Sequence, residues 1–190
     1  GCRLCVAVRI PVDQFRPDRS QRRNLQHNAD LVARVLPAIR REEHFALYRR
    51  YLQSRHAGGG MDEHGPAQFD QFLSGSWSET RFLEIRRRGA QGSGELLAVA
   101  VTDLTAHALS AVYTFYDPDL QPASLGTYNI IWQIAQCSAN ALPYLYLGYW
   151  IRDSRKMAYK ANFASIEGLV DGQWSALRLC LAASRVKSGR

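Results

Sequence analysis

Beyond Trp77 the spacing of apolar residues changes from helical to alternating, and this switch constrains the fold more than any other feature of the chain. Thr80 to Arg88, Glu95 to Thr105 and Ala108 to Tyr116 each read as a strand of period two, with Gly89 to Gly94 as a hairpin loop between the first two. Asp117-Pro118-Asp119 and Gln121-Pro122 stop the third. A long helix is predicted from Leu125 to Ala141, with Ile130, Ile131, Ile134 and Cys137 on one stripe and Pro143 as its end. Tyr144 to Tyr149 reads as a buried strand and Ser154 to Asn162 as a further helix. Antiparallel strands, a helix, a strand and a helix make an α+β order.

The part ahead of this unit is arginine-rich and mixed. Val6, Val8 and Ile10 face one side of an opening strand while Arg9 projects from the other. Asp18, with Gln21 three residues on, caps a helix through about Asn28, and Leu31 to Leu36 follows as a strand ended by Pro37. Glu42 to Arg55 carries Phe45, Tyr48 and Leu52 at helical spacing, with acids in its first turn and Arg55 in its last. Gly58-Gly59-Gly60 breaks it, and a short helix from Pro66 to Leu73 leads to Trp77. Because the chain opens in mid-structure, its natural N-terminus is expected to lie further upstream.

At 190 residues and 46% hydrophobic the chain buries a substantial core, and no run approaches the ~18 consecutive apolar residues of a membrane span. The start, GCRLCVAVRI, lacks the long apolar region of a secretory signal, so the expected compartment is the cytoplasm, with no membrane partner. The net charge of +7 is unevenly placed: residues 1–55 hold twelve arginines, no lysine and five acids, which leaves the remaining 135 neutral. An arginine-only basic segment suits a polyanion or an acidic ligand, because the planar guanidinium pairs bidentately with phosphate and carboxylate. Cys2 and Cys5 form a CxxC, half of a tetrahedral metal site.

The stretch from Leu142 to Trp174 packs Tyr144, Tyr146, Tyr149, Trp150 and Tyr159 around Gly148 and the cations Arg152, Arg155, Lys156 and Lys160. Aromatic faces interleaved with cations hold nucleotide ends by stacking and phosphate pairing. The succession of strands and helices resembles the acyltransferase fold of the GNAT superfamily. Coenzyme A-dependent members carry a Q/R-x-x-G-x-G/A loop ahead of a helix. Here Arg86-Arg87-Arg88-Gly89-Ala90-Gln91 fails at its last position and sits in a hairpin, which disfavours a coenzyme A-dependent N-acetyltransferase. Ser124-Leu125-Gly126 stands where that loop belongs; a serine cap and a close-approach glycine at a helix start suit an anion such as a tRNA phosphate.

Further segments carry a narrower resemblance. Ser110 to Pro118 (SAVYTFYDP), Ser124 to Tyr128 (SLGTY), Tyr146 to Trp150 (YLGYW) and Lys156 to Lys160 (KMAYK) resemble successive signatures of the aminoacyl-tRNA–protein transferases of the N-end rule pathway. Arg55 to Met61 (RHAGGGM) and the start from Cys2 to Cys5 before Arg9 are similar as well. The resemblance is greatest to the bacterial aspartate/glutamate leucyltransferases. It implies two GNAT-like halves, the first truncated: residues 1–75 as the Cys/Arg-rich part of the first, 76–174 as a complete second and 175–190 as an unassigned tail. The family pattern has a further cysteine three residues before Cys2, so a metal or iron–sulfur site at Cys2 and Cys5 is incomplete in this chain.

The resemblance implies transfer of leucine from leucyl-tRNA to the α-amine of proteins beginning with Asp or Glu. Arginyl transfer and a tRNA-binding module without transferase activity are the alternatives. The ester is already activated, so the chemistry needs position, a free amine and oxyanion stabilisation, with no cofactor. Asp117 is the expected base, and Tyr113 and Tyr116 the expected oxyanion or pocket residues. Arg9, Arg55 and His56 are expected to meet the acidic acceptor. Ser124, Gly126, Tyr128, Gly148, Tyr149, Lys156, Tyr159 and Lys160 are expected at the tRNA end and aminoacyl group.

Overall fold

The computed structural model describes residues 5–55, 64–73, 78–89, 94–120, 123–151, 154 and 156–178. Strand β1 (Cys5–Pro11) is followed by α1 (Arg19–His27), β2 (Leu31–Pro37), α2 (Glu42–Arg55) and α3 (Pro66–Leu73). Three long strands come next, β3 (Glu79–Arg87), β4 (Leu96–Thr105) and β5 (Ala108–Tyr116), then α4 (Leu125–Ala139) and β6 (Tyr144–Ile151). A 3-10 turn (Ala158–Asn162) stands where an α-helix was expected, and β7 (Glu167–Val170) and β8 (Gln173–Ala176) close the described chain. None of the described helices is long and apolar enough to cross a membrane.

The local signals act as their chemistry dictates. Asp18 Oδ1 accepts from the Gln21 amide at 2.8 Å and Gln21 Oε1 accepts from the Asp18 amide at 2.9 Å, a reciprocal cap that starts α1. Helix α4 begins differently: Ser124 sits in the left-handed region at φ 46° and its side chain makes no capping bond, contrary to the serine cap expected there. Hairpin β7–β8 turns through Asp171 and Gly172, both at positive φ (49° and 79°), the geometry that an Asp-Gly pair adopts in a two-residue turn.

All eight strands lie in one sheet of order β2-β3-β4-β5-β6-β1-β7-β8, antiparallel throughout except for β5 beside β6. It crosses the boundary expected near residue 75, since β1 sits between β6 and β7. One face is covered by α2 and α3, where Leu47, Tyr48, Leu52, Phe69 and Leu73 pack on Phe82, Val99, Val101 and Phe115. The other carries α1 and α4, with Ile130, Ile134 and Cys137 against Val8, Ile10, Leu145 and Leu147. Burying each such side chain is worth ~1.5–3 kcal/mol. Cys137 is fully buried, and burial lifts its thiol to about 11, so it acts as core.

The parallel seam is short. β5 and β6 pair only from Ala108 to Ser110 with Tyr144 to Tyr146, and each strand is bulged just beyond that point. In β5, Ala111 and Tyr113 face consecutive residues of β4, so Val112 is the extra residue. In β6, Tyr146 and Tyr149 face Arg9 and Ala7, so the strand gains one residue against β1, and Gly148 lies in this step at φ 69°. The paired bulges let the strands separate.

Candidate functional site

A cavity of about 600 Å³ opens where β5 and β6 part. Ala111, Val112, Tyr113, Thr114 and Tyr116 of β5 form one wall and Leu147 of β6 the other. Tyr51 and Arg55 from the last turns of α2 enter from one face of the sheet. Ser124, Leu125, Gly126, Thr127 and Ile130 of the α4 start bound it from the other, and Lys156, Tyr159 and Lys160 complete it. A Cβ on Gly126 would meet nothing within 4 Å, so the space beside the start of α4 is open.

The lining is cationic and aromatic, with no carboxylate among its described residues. Arg55 and Lys156 are exposed, whereas Lys160 is buried. The Arg55 guanidinium lies 5.9 Å from the Tyr116 ring centre, and the Tyr116 ring lies 5.0 Å from that of Tyr51. Burial first, and then the neighbouring Tyr116, push the Tyr51 phenol up to about 12 despite the opposing pull of Arg55. Tyr113 is likewise raised, by burial and then by Tyr51 and Tyr48, and its buried hydroxyl has no hydrogen-bond partner among the described residues. Both are protonated phenols at neutral pH, and the Tyr113 hydroxyl offers a hydrogen-bond donor.

Lys160 is held by the backbone of the parted strand. Its Nζ donates to the carbonyl oxygens of Leu147 and Tyr149, each at 2.6 Å, on the stretch of β6 that has no β5 partner. Desolvation lowers its pKa below that of a solvated lysine.

Of the residues singled out in the sequence, Tyr113, Tyr116, Arg55, Ser124, Gly126, Lys156, Tyr159 and Lys160 meet at this cavity. Asp117 does not line it: the residue is 6% exposed and its carboxylate accepts from Arg50 Nη2 and the Asp119 amide, both at 3.0 Å, so it serves the turn after β5. Arg9 is also elsewhere, with Nε 2.8 Å from Glu167 Oε2 and its guanidinium 3.8 Å from the Tyr144 ring centre and 4.2 Å from that of Trp174. Tyr128 is buried in the core with Leu31, Ile85 and Leu97. Gly148 forms the bulge, and Tyr149 is 60% exposed outside the cavity lining. Cys5 is exposed at the start of β1, while Cys2 and His56 lie outside the described residues.

Sequence reasoning missed Tyr51, which the helical spacing of α2 places one turn before Arg55 and on the same side. Another triad, Glu43, His44 and Glu84, has ligand atoms within 4.8 Å of one another. Its groups are already committed: Arg86 bonds both Glu84 and Glu43, and His44 Nε2 lies 2.6 Å from Glu84 Oε1. His44 Nδ1 accepts the Arg41 amide at 3.2 Å, so Nε2 carries the proton given to Glu84. This also removes Arg86 from any pyrophosphate-binding role.

Solved structures with a similar fold include the C-terminal domain of a putative lysylphosphatidylglycerol synthetase from Agrobacterium fabrum. It matches with a TM-score of 0.59 at 14% identity over 83% of this chain and 50% of that one. FemX matches with a TM-score of 0.52 at 7% identity, over 80% and 54%. At such identities the likeness speaks for the fold alone, an α+β architecture of GNAT-like order. The family model described as "Arginine-tRNA-protein transferase, C terminus" matches residues 43–170. The chain is 56% identical over 174 residues to the aspartate/glutamate leucyltransferase of Stenotrophomonas maltophilia strain K279a, covering 91% of this chain and 69% of the relative. It is 56% identical over 184 residues to that of Xanthomonas campestris pv. campestris strain B100, covering 96% and 73%. The cleft between β5 and β6 and these extended matches together place the chain in the aminoacyl-tRNA–protein transferase family.

Proposed function

We propose that the chain transfers leucine from leucyl-tRNA to the α-amine of proteins that begin with Asp or Glu, in the cavity between β5 and β6. The observation that carries this reading is a cleft whose described lining is cationic and aromatic, in a chain 56% identical to aspartate/glutamate leucyltransferases. Both reactants bring negative charge to such a site, phosphates from the tRNA and a carboxylate from the acceptor. Arg55, with its planar fork beside Tyr116, meets the acidic side chain. Lys156 and the first N–H groups of α4 receive phosphate or ribose oxygens of the tRNA end, and Tyr159 offers a stacking face.

The chemistry needs no cofactor. The acceptor's α-amine, which titrates near ~8, is free in useful amount at neutral pH. Water takes the proton whose loss frees the amine, and the cavity contributes alignment and hydrogen-bond donors. Such a reaction belongs in the cytoplasm, where charged tRNA is found. A metal or cluster at Cys2 and Cys5 would need further ligands and enters no step.

The test is incubation with radiolabelled leucyl-tRNA, arginyl-tRNA or acetyl-CoA and peptides beginning Asp, Glu or Ala. Label should pass from leucyl-tRNA to the Asp and Glu peptides only. Transfer of arginine instead would favour the activity named by the family model, label from acetyl-CoA would make the chain an N-acetyltransferase, and tRNA binding without transfer would make it a binding module.

A further inference from the structure

Among the cations that line the cavity, Lys160 differs from Arg55 and Lys156 in being buried, 8% exposed. Its partners are unusual as well. Two N–H donors of the ammonium are used by the carbonyl oxygens of Leu147 and Tyr149, each at 2.6 Å. Both carbonyls lie on the stretch of β6 beyond its pairing with β5, and the bond to Leu147 is buried. An ammonium has three donors, and tetrahedral geometry directs the remaining one away from β6. Carbonyl dipoles orient the positive charge without neutralising it, as a carboxylate would. The short bonds to both carbonyls favour the ammonium over the neutral amine. The result is an oriented positive charge in a desolvated position whose third donor has no partner among the described residues, in a cavity bounded by the separated strands.

We propose that Lys160 is the catalytic donor that stabilises the tetrahedral intermediate, its third N–H meeting the alkoxide oxygen. The proposal rests on the cavity being the transfer site. The lone pair of the acceptor's free α-amine forms a bond to the leucyl carbonyl carbon, and the C=O π pair moves onto oxygen. That oxygen carries the new negative charge, and Lys160 donates to it. On collapse the C=O re-forms, the bond to the ribose oxygen breaks, and the amine proton passes to that oxygen to give an amide and a free ribose hydroxyl. A donor fixed in advance at the point where charge develops contributes most when it is shielded from water. The role also differs from phosphate binding at the tRNA end, which an exposed lysine such as Lys156 performs without burial.

Lys160→Met keeps the length of the side chain and removes the charge. Loss of one such donor lowers kcat by ~10²–10³-fold. The dissociation constant for 3′-leucylamido-3′-deoxyadenosine, whose planar amide carries no charge where the ester stands in the substrate, should change by less than about threefold, since ground-state binding does not use the donor. The leucine phosphonate monoester of adenosine, tetrahedral and anionic, should bind wild type at least about tenfold more tightly than the planar mimic, and Lys160→Met should abolish that preference. Equal affinity of the two mimics for wild type, or a preference that survives in Lys160→Met, overturns the proposal. So does a fall in planar-mimic affinity that matches the fall in kcat. If Lys160→Met does not fold, Lys160→Arg retains a cation for both carbonyls but moves the donor; kcat lowered at least about tenfold with planar binding intact supports the role, and unchanged kcat sinks it. Failure of wild type to transfer leucine at all would refute the proposed function, whereas the two mimics still test Lys160 by binding alone.

Discussion

Arg9 and Glu167 face one another across neighbouring strands, with Nε of the arginine 2.8 Å from Oε2 of the glutamate. The same guanidinium is sandwiched between Tyr144 and Trp174, so a single side chain ties β1 to β6, β7 and β8. Arg9→Ala should therefore cost ~1–3 kcal/mol of stability, because it strands a part-buried carboxylate and two ring faces. Chemical denaturation measures the loss. The ratio of rates on Asp- and Ala-initiated peptides should stay at the wild-type value, and a collapse of that ratio would return Arg9 to the acceptor site.

Arg55 is the cation expected to carry that ratio. Truncation to alanine removes a charge-assisted bond worth ~1.5–3 kcal/mol, so KM for acidic peptides should rise about 10- to 100-fold. Steady-state kinetics with Asp, Glu and Ala peptides at fixed leucyl-tRNA provide the check. A uniform fall on all three peptides would assign Arg55 to the tRNA instead.

Gly148 is required for its backbone rather than for space, since a Cβ there would meet nothing within 4 Å while φ is 69°. Gly148→Ala should lower stability by ~1–2 kcal/mol through left-handed strain. It should also slow transfer, because the Leu147 and Tyr149 carbonyls that hold Lys160 lie on either side of the bulge. Thermal melting and single-turnover rates separate the two effects.

Glu84 gives the fold an acid-side limit. Burial alone would raise its carboxyl, but hydrogen bonds from Arg86 and His44 outweigh this and hold it below the ordinary carboxylate value. A carboxyl depressed in the folded state stabilises above its unfolded pKa, ~4.3, and that contribution disappears as the pH falls through the folded value. Melting temperature should accordingly drop below about pH 4, and Glu84→Gln should flatten this part of the profile. An identical acid limb in the variant would show that other carboxylates set it.

Much of this architecture was legible because the signals were local. The Asp18–Gln21 cap, the apolar spacing of Glu42–Arg55 and the period-two runs that became β3, β4 and β5 each depend on residues close in sequence. Strands β7 and β8 escaped because each is only four residues long; the Asp171-Gly172 pair was the readable sign of their turn. Tyr113, Tyr116 and Lys156, singled out by motif position, line the cavity, whereas Asp117 does not, which only a long-range fact could have told. Arg50, 67 residues earlier in the chain, takes its carboxylate. Burial of Lys160 was equally invisible, since it depends on where β5 leaves β6.

That separation makes the sheet a doorway rather than a wall. Tyr51 and Arg55 of α2 stand on one threshold and the start of α4 on the other. In the proposed reaction a bulky nucleic acid and the exposed end of a folded protein would thus approach from opposite half-spaces and meet at a single carbonyl carbon, with neither obliged to leave before the other arrives.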